Sequence, residues 1–184
     1  DIPSGTTYRV VEEQSGLYRP IMTTGDAGTI EDGKTAEASF VNIHLKEEEP
    51  GEDEVNLTVS KKVLPEDAGA GEKFQFTAVF EHLRANWNYG LSDETEFQSD
   101  ADGKATVTFT LGKGENITFL HLPAGCTYRF TEAAGAYTSS YAVTDAAGLQ
   151  KIATASGANT EEDQEISTAT ETADKGEKVT VTFT

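Results

Sequence analysis

Basic residues are scarce in this sequence: 14 Lys and Arg stand against 32 Asp and Glu, a net charge of −18 over 184 residues. Binding to nucleic-acid phosphate needs clustered cations, and so does docking on an anionic membrane. Neither partner is expected, and the acidic balance reads as a soluble, self-repelling surface. Cysteine is nearly missing. Cys126 stands alone, which excludes an intrachain disulfide, and its strand parity marks it as a small buried hydrophobe rather than a reactive thiol. No apolar run is long enough to span a bilayer, so no membrane insertion is expected, and none of the given residues reads as a signal peptide. Three histidines, His44, His82 and His121, are far apart and lack ligand spacing, so no metal site is expected. A Gly-rich phosphate loop, a nucleophile elbow and a Ser-His-Asp order are all lacking. No cofactor and no multiple-turnover enzyme is expected.

Helical periodicity is also nearly missing, whereas Thr, Val, Phe and Tyr are plentiful and turn signals recur. Many short alternating stretches between turns point to an all-β sandwich. The stretch that organises the chain is Pro123-Ala-Gly-Cys-Thr-Tyr-Arg-Phe-Thr-Glu132. It has a twin at the start, Pro3-Ser-Gly-Thr-Thr-Tyr-Arg-Val-Val-Glu12, with six of ten positions identical. An internal repeat of this kind implies one unit and part of another. In each copy a Pro-x-Gly turn launches a strand that ends in glutamate.

Residues 1–45 read as three strands, 7–12, 18–24 and 36–43, the last with Ala36, Ala38, Phe40 and Asn42 on one face. Asp26-Ala-Gly and Glu31-Asp-Gly are turn signals between them. So short a segment rarely holds its own core, and it is expected to be the C-terminal part of a preceding sandwich repeat, in a mature or excised fragment. Residues 46–54 are an acidic linker. Residues 55–184 form the second unit. Its strands carry Leu57, Val59, Lys61 and Val63 inward, then Phe74, Phe76, Ala78 and Phe80, with further strands over 104–111, 117–122, 127–132, 137–144 and 178–184. Residues 84–103 read as a polar excursion holding Trp87, Tyr89 and Phe97. The 145–176 stretch, with Ile152 and Ile166 as anchors, is expected to give a weak strand or two among loops.

Two inward charges break this pattern. Period two puts Glu132 on the face of Tyr128 and Phe130, and Lys61 between Val59 and Val63. Burying either charge alone is costly. Paired, they form either a structural ion pair or a reactive one, since desolvation favours neutral amine and neutral acid. A neutral amine is a nucleophile, and a neutral acid can polarise a carbonyl and relay protons.

Leu57-Thr-Val-Ser-Lys61-Lys-Val63, Phe74-Gln-Phe76-Thr, Leu122-Pro-Ala-Gly125, Tyr128-Arg-Phe-Thr-Glu132 and Val179-Thr-Val-Thr-Phe183-Thr together resemble the isopeptide-forming pilin and CnaB-type domains of Gram-positive surface proteins. The resemblance covers nearly all of 55–184, and 1–45 looks like the last third of a related repeat. It implies an Ig-like (CnaB-type) sandwich in which a first-strand lysine condenses with a last-strand asparagine, aided by a glutamate. Carried over, Lys61 is the amine and Glu132 the catalyst, with the acceptor just beyond Thr184. Lys62 is the alternative amine, disfavoured by strand parity. In the first unit Glu12 and Asn42 match catalyst and acceptor, and the matching lysine falls before residue 1. Neither unit holds all three groups. A trimmed chain, an acceptor outside the given residues, and Asn42 of one chain reaching Lys61 of another all remain open.

The function this implies is a stalk module of a cell-wall-anchored adhesin or pilus, extracellular, with neighbouring repeats of the same protein as partners. Its crosslinking would be single-turnover chemistry. The alternative is an adhesive module that binds a host surface ligand through 84–103, with Trp87 and Tyr89 as contacts. The acidic runs around 47–49 and 161–163 lack the order of a calcium loop, and Asp100-Ala-Asp102-Gly103 reads as a turn.

Overall fold

In the computed structural model, residues 2–148 and 156–184 are described. The chain is all-β. Its strands are β1 (Thr7–Arg9), β2 (Tyr18–Thr24), β3 (Ala27–Thr29), β4 (Ser39–His44), β5 (Glu54–Lys61), β6 (Lys73–Glu81), β7 (Asn88–Gly90), β8 (Glu96–Gln98), β9 (Ala105–Gly112), β10 (Asn116–Pro123), β11 (Thr127–Glu132), β12 (Ser140–Thr144), β13 (Ser156–Ala158), β14 (Ile166–Ser167), β15 (Glu171–Thr172) and β16 (Lys178–Phe183). A single 3-10 turn, Leu45–Glu47, follows β4.

Two five-stranded sheets make the sandwich. One runs β10-β5-β16-β12-β13; the other runs β14-β11-β6-β9, with β15 also on β11. The pairings are antiparallel except β5 with β16, the first and last strands of the sandwich, which run parallel with Lys61 opposite Phe183. The sequence explains the two layers. Residues of β5 and β6 alternate between buried and partly exposed, so each strand offers one apolar face to the other sheet. Val55, Leu57, Val59, Val179, Val181 and Phe183 meet Phe76, Ala78, Phe80, Tyr128 and Phe130 in one continuous core. Phe119 is central to it, with ring centroids 5.0 Å from Phe80, 5.7 Å from Phe109 and 5.8 Å from Phe130. Full burial of each such ring stabilises by roughly 1.5–3 kcal/mol.

The twin turns take the same shape. Cys126 N–H donates to the Pro123 carbonyl at 3.2 Å and Thr6 N–H to the Pro3 carbonyl at 3.3 Å. Gly125 and Gly5 stand at φ +87° and +84°, a region where a side chain is strained. The twins diverge afterwards. The strand from Gly125 runs on to Glu132, but β1 stops at Arg9, so Glu12 lies beyond it rather than at a strand end. Residues 36–38 likewise stay outside β4. The turn signal at Asp26-Ala-Gly opens a short strand, β3, which pairs with β1. The 84–103 excursion carries the β7–β8 hairpin. The 145–176 stretch supplies three short strands, β13 to β15, and Ile166 is buried; Ile152 lies outside the described residues.

Residues 1–45 form two separate ribbons, β1–β3 and β2–β4. Val10, Val11, Tyr18, Ile21, Met22 and Val41 are exposed. The segment is held by the sandwich rather than by a core of its own. The Gln14 carboxamide accepts from Asn88 N–H at 2.7 Å and donates to the Asn88 carbonyl at 3.0 Å. One oxygen of Glu96 accepts from the Ser15 hydroxyl at 2.6 Å and from Gly16 N–H at 3.0 Å. A Cβ on Gly16 would lie 2.3 Å from the Tyr89 carbonyl carbon, so glycine allows this close approach of two backbones.

Candidate functional site

Lys61 ends β5 in one sheet and Glu132 ends β11 in the other, so the two side chains meet across the sandwich core. Lys61 Nζ lies 2.7 Å from Glu132 Oε1, and each side chain is 2% exposed. The backbone fixes both ends. Lys61 N–H donates to the Glu115 carbonyl at 3.0 Å, and Lys62 N–H donates to the Phe183 carbonyl at 2.8 Å. Glu132 sits between Phe76 and Ile166 in the ladder. Period two therefore places both charges inward and turns Lys62 out to solvent.

The walls are aromatic. The Phe74 ring centroid lies 4.5 Å from Lys61 Nζ, a cation–π contact that strengthens with desolvation. Tyr137 packs on Phe74 at 5.7 Å between centroids and donates its hydroxyl proton to Glu72 at 2.9 Å. Phe183 lies opposite Lys61, with its ring 5.3 Å from that of Phe76. Glu132 Oε2 is buried without a hydrogen-bond partner. Such an orphan acceptor typically costs about 1–3 kcal/mol. Chemically, an amine and a carboxyl within proton-transfer distance are both buried from solvent, with one carboxyl oxygen making no hydrogen bond. Phe74 was legible as an inward residue; its role as a wall over the amine needs the third dimension.

The first unit repeats part of this arrangement. The Asn42 carboxamide donates from Nδ2 to Glu12 Oε1 at 2.6 Å, at an exposed position. Acid and amide are thus adjacent, and among the described residues neither makes an ion pair with a lysine. Asn42 is exposed, on the two-stranded β2–β4 ribbon.

Trp87 and Tyr89 do not form an exposed cluster. Tyr89 is buried, its hydroxyl accepts from Arg84 N–H at 2.9 Å, and its ring stacks on Phe97 at 5.4 Å. Burial raises the phenol above its ordinary range. Trp87 is half-buried, with the Arg84 guanidinium 3.5 Å from its ring centroid. Both line a cavity of about 620 Å³ between the first segment and the sandwich, together with Glu12, Arg19, Asn42 and His121. Asp100 is a turn-former: its Oδ1 accepts from Asp102 N–H at 2.9 Å and Lys104 N–H at 2.8 Å.

Solved structures share this architecture. A point mutant of the major pilin from Streptococcus pyogenes aligns with 85% of the chain at 23% identity and a TM-score of 0.54; the aligned part is 53% of that pilin. A second mutant of the pilin aligns with the whole chain at 18% identity and a TM-score of 0.55, over 71% of its own length. The unmutated pilin aligns with 94% at 19% identity and 0.52, over 65% of its length. The chain thus spans about half of the first of these pilins. At such identities the likeness is one of fold: the Ig-like sandwich of streptococcal pilins. No curated protein sequence matches the chain. Residues 55–184 match one family throughout, and by that match the chain belongs to the family described as Domain of unknown function (DUF7601).

Proposed function

We propose that the chain is a stalk module of a pilus or surface adhesin, built around an autocatalytic isopeptide crosslink. The observation that carries this reading is the Lys61–Glu132 pair: 2.7 Å apart, 2% exposed, walled by Phe74 and carrying an orphan oxygen. A pair retained only for stability would be weak support for a fold, because well-packed apolar residues usually do as well. A reactive pair needs this dryness and placement.

The chemistry is single-turnover. Val179, Val181 and Phe183 point inward on β16, and the acceptor carboxamide belongs on the residue that follows Thr184, beside Lys61. The neutral Lys61 amine attacks the carboxamide carbon. Glu132, in its acid form, donates from its free oxygen to the developing oxyanion. It then accepts an amine proton and delivers one to the leaving nitrogen. One C–N bond forms, one breaks, and ammonia departs. Proximity in a water-free chamber supplies most of the acceleration. The product would close a loop of about 120 residues; treated like a disulfide of that size, it stabilises on the order of 4–5 kcal/mol.

Residues 1–45 fit the C-terminal part of a preceding repeat. The matching Pro-x-Gly turns and the Glu12–Asn42 contact support this. The module's place is the bacterial cell surface, with neighbouring repeats as partners. Intact-mass measurement of the polypeptide that continues past Thr184 tests the proposal. The expected mass is one ammonia below the encoded value, and Glu132→Ala should restore the encoded mass. An encoded mass in the unmutated protein contradicts it.

A further inference from the structure

The junction between the first segment and the sandwich is organised by His121, which the crosslinking chemistry does not use. Pairing of β10 with β5 slips between Phe119 and Leu122. Leu120 and His121 oppose Asn56 alone, and this one-residue bulge sets His121 at φ +51°, where Asn56 Oδ1 accepts from His121 N–H at 2.8 Å. The bulge turns the imidazole out of the sheet and into the junction, where it is 3% exposed. Nδ1 lies 2.6 Å from Glu54 Oε2, and Nε2 lies 2.8 Å from the Leu45 carbonyl. Leu45 is itself buried, and its N–H donates to the Leu17 carbonyl at 2.8 Å.

Both ring nitrogens therefore face acceptors; the donor beside Nδ1, Arg19 Nη2, is at 3.5 Å against 2.6 Å for Glu54 Oε2. A neutral imidazole carries one N–H, so one of the two contacts would set lone pair against lone pair. Only the imidazolium donates to both. Glu54 matches it. Burial raises the Glu54 carboxyl, but hydrogen bonds from His121, Gly51 N–H and Arg19 outweigh this and hold it below its ordinary 4.5. Glu54 Oε1 takes Arg19 Nη2 at 2.6 Å. One carboxylate thus ties the guanidinium of β2 and the imidazole of β10 to the start of β5.

We propose that His121 is a proton-operated latch that fastens residues 1–45 to the sandwich. Besides Glu54, the charged groups facing it are Arg19, 3.5 Å from Nδ1, and Glu48, 3.4 Å from the Arg19 guanidinium. His44 pairs with Glu94 at 3.0 Å beside Lys46, and Asp53 lines the same cavity. Arg19 opposes the imidazolium and Glu54 favours it; the carboxylate is nearer. Closing the latch takes up a proton, so the junction is tight when the ring carries both protons and loosens when it gives one up. Protonation of Glu54 in acid removes the acceptor, so the tight state needs a doubly protonated ring and an ionised Glu54. This device is independent of the isopeptide reading.

Nitrogen-15 NMR of the imidazole ring, combined with amide exchange corrected for its intrinsic pH dependence, tests it on the whole chain. The expected result is two protonated ring nitrogens while the latch is closed. Protection of Leu45 and Glu54 N–H should fall about ten-fold when, on raising the pH, the ring's own nitrogen signals report the loss of one proton, the factor lost with one charge-assisted hydrogen bond. His121→Phe should abolish that step, and His44→Asn should keep it. Should His121→Phe fail to fold, Glu54→Gln, which removes the countercharge, should shrink the step instead. A singly protonated ring in the protected state, or a step that survives both His121→Phe and Glu54→Gln, overturns the proposal.

Discussion

At the residue scale, Lys61 and Glu132 depend on each other. Removing one partner of a buried pair leaves an uncompensated charge and typically costs about 3–5 kcal/mol. In the chain ending at Thr184, Lys61→Met and Glu132→Leu should each lower the unfolding free energy, read from urea titrations, by an amount of that size. The double variant should recover most of the loss, because two apolar side chains fill the space without desolvated charge. A double variant as unstable as the sum of the singles would show that the pair is not coupled. Cys126 gives a second check. Burial pushes its thiol up to about 12, so alkylation at pH 8 should proceed only through unfolding and accelerate with urea; rapid labelling of the native protein would contradict the buried placement. Glu54 gives a third. Its carboxyl is lowered in the fold, so its contribution to stability is present above the ordinary carboxylate range and is lost as pH falls through the lowered value. Glu54→Gln should therefore flatten that part of the acid limb of a stability–pH curve, and an unchanged limb would contradict the Arg19–Glu54–His121 geometry. These residues were unequally legible. Period two alone turned Lys61 and Glu132 inward, since β5 and β11 are regular up to those residues. His121 was invisible as a junction residue, because a bulge changes which way a side chain points and leaves no periodic trace.

At the scale of elements, the sandwich rests on the parallel pairing of its first and last strands, β5 and β16, flanked by antiparallel neighbours. Phe119 sits where rings from both sheets converge. Phe119→Ala should cost about 3–5 kcal/mol in urea unfolding, the range for emptying a core aromatic site. A loss under about 1 kcal/mol would mean that the ring cluster is not the core. The long strands were readable because one face of each is buried and the alternation is unbroken. β3, β7 and β8 were not, and of β13 to β15 only a weak strand or two among loops was expected. Each is only two or three residues long, too short to show a period. The first segment misled as well. Its alternation suggested strands through Glu12 and from Ala36, but residues 10–13 and 36–38 are exposed and stay out of the ladders.

At the scale of the molecule, the parallel β5–β16 pair brings the start and the end of the sandwich side by side. A covalent bond between Lys61 and the position after Thr184 would carry force arriving through the two ends past the sheets. Unfolding would then slow, and resistance to heat and proteolysis would follow. Upstream, the first segment is joined to the sandwich through Gln14–Asn88, the Glu96 contacts and the His121–Leu45 contact; under the two proposals, stiffness would depend on pH at one joint and on a covalent bond at the other. The most direct measurement is a tandem mass spectrum of a protease digest of the polypeptide that extends past Thr184. The account predicts a branched peptide joining the Lys61 side chain to the residue after Thr184, and its disappearance in Glu132→Ala. An unbranched Lys61 peptide from the unmutated protein, or a branch on Lys62, would contradict it.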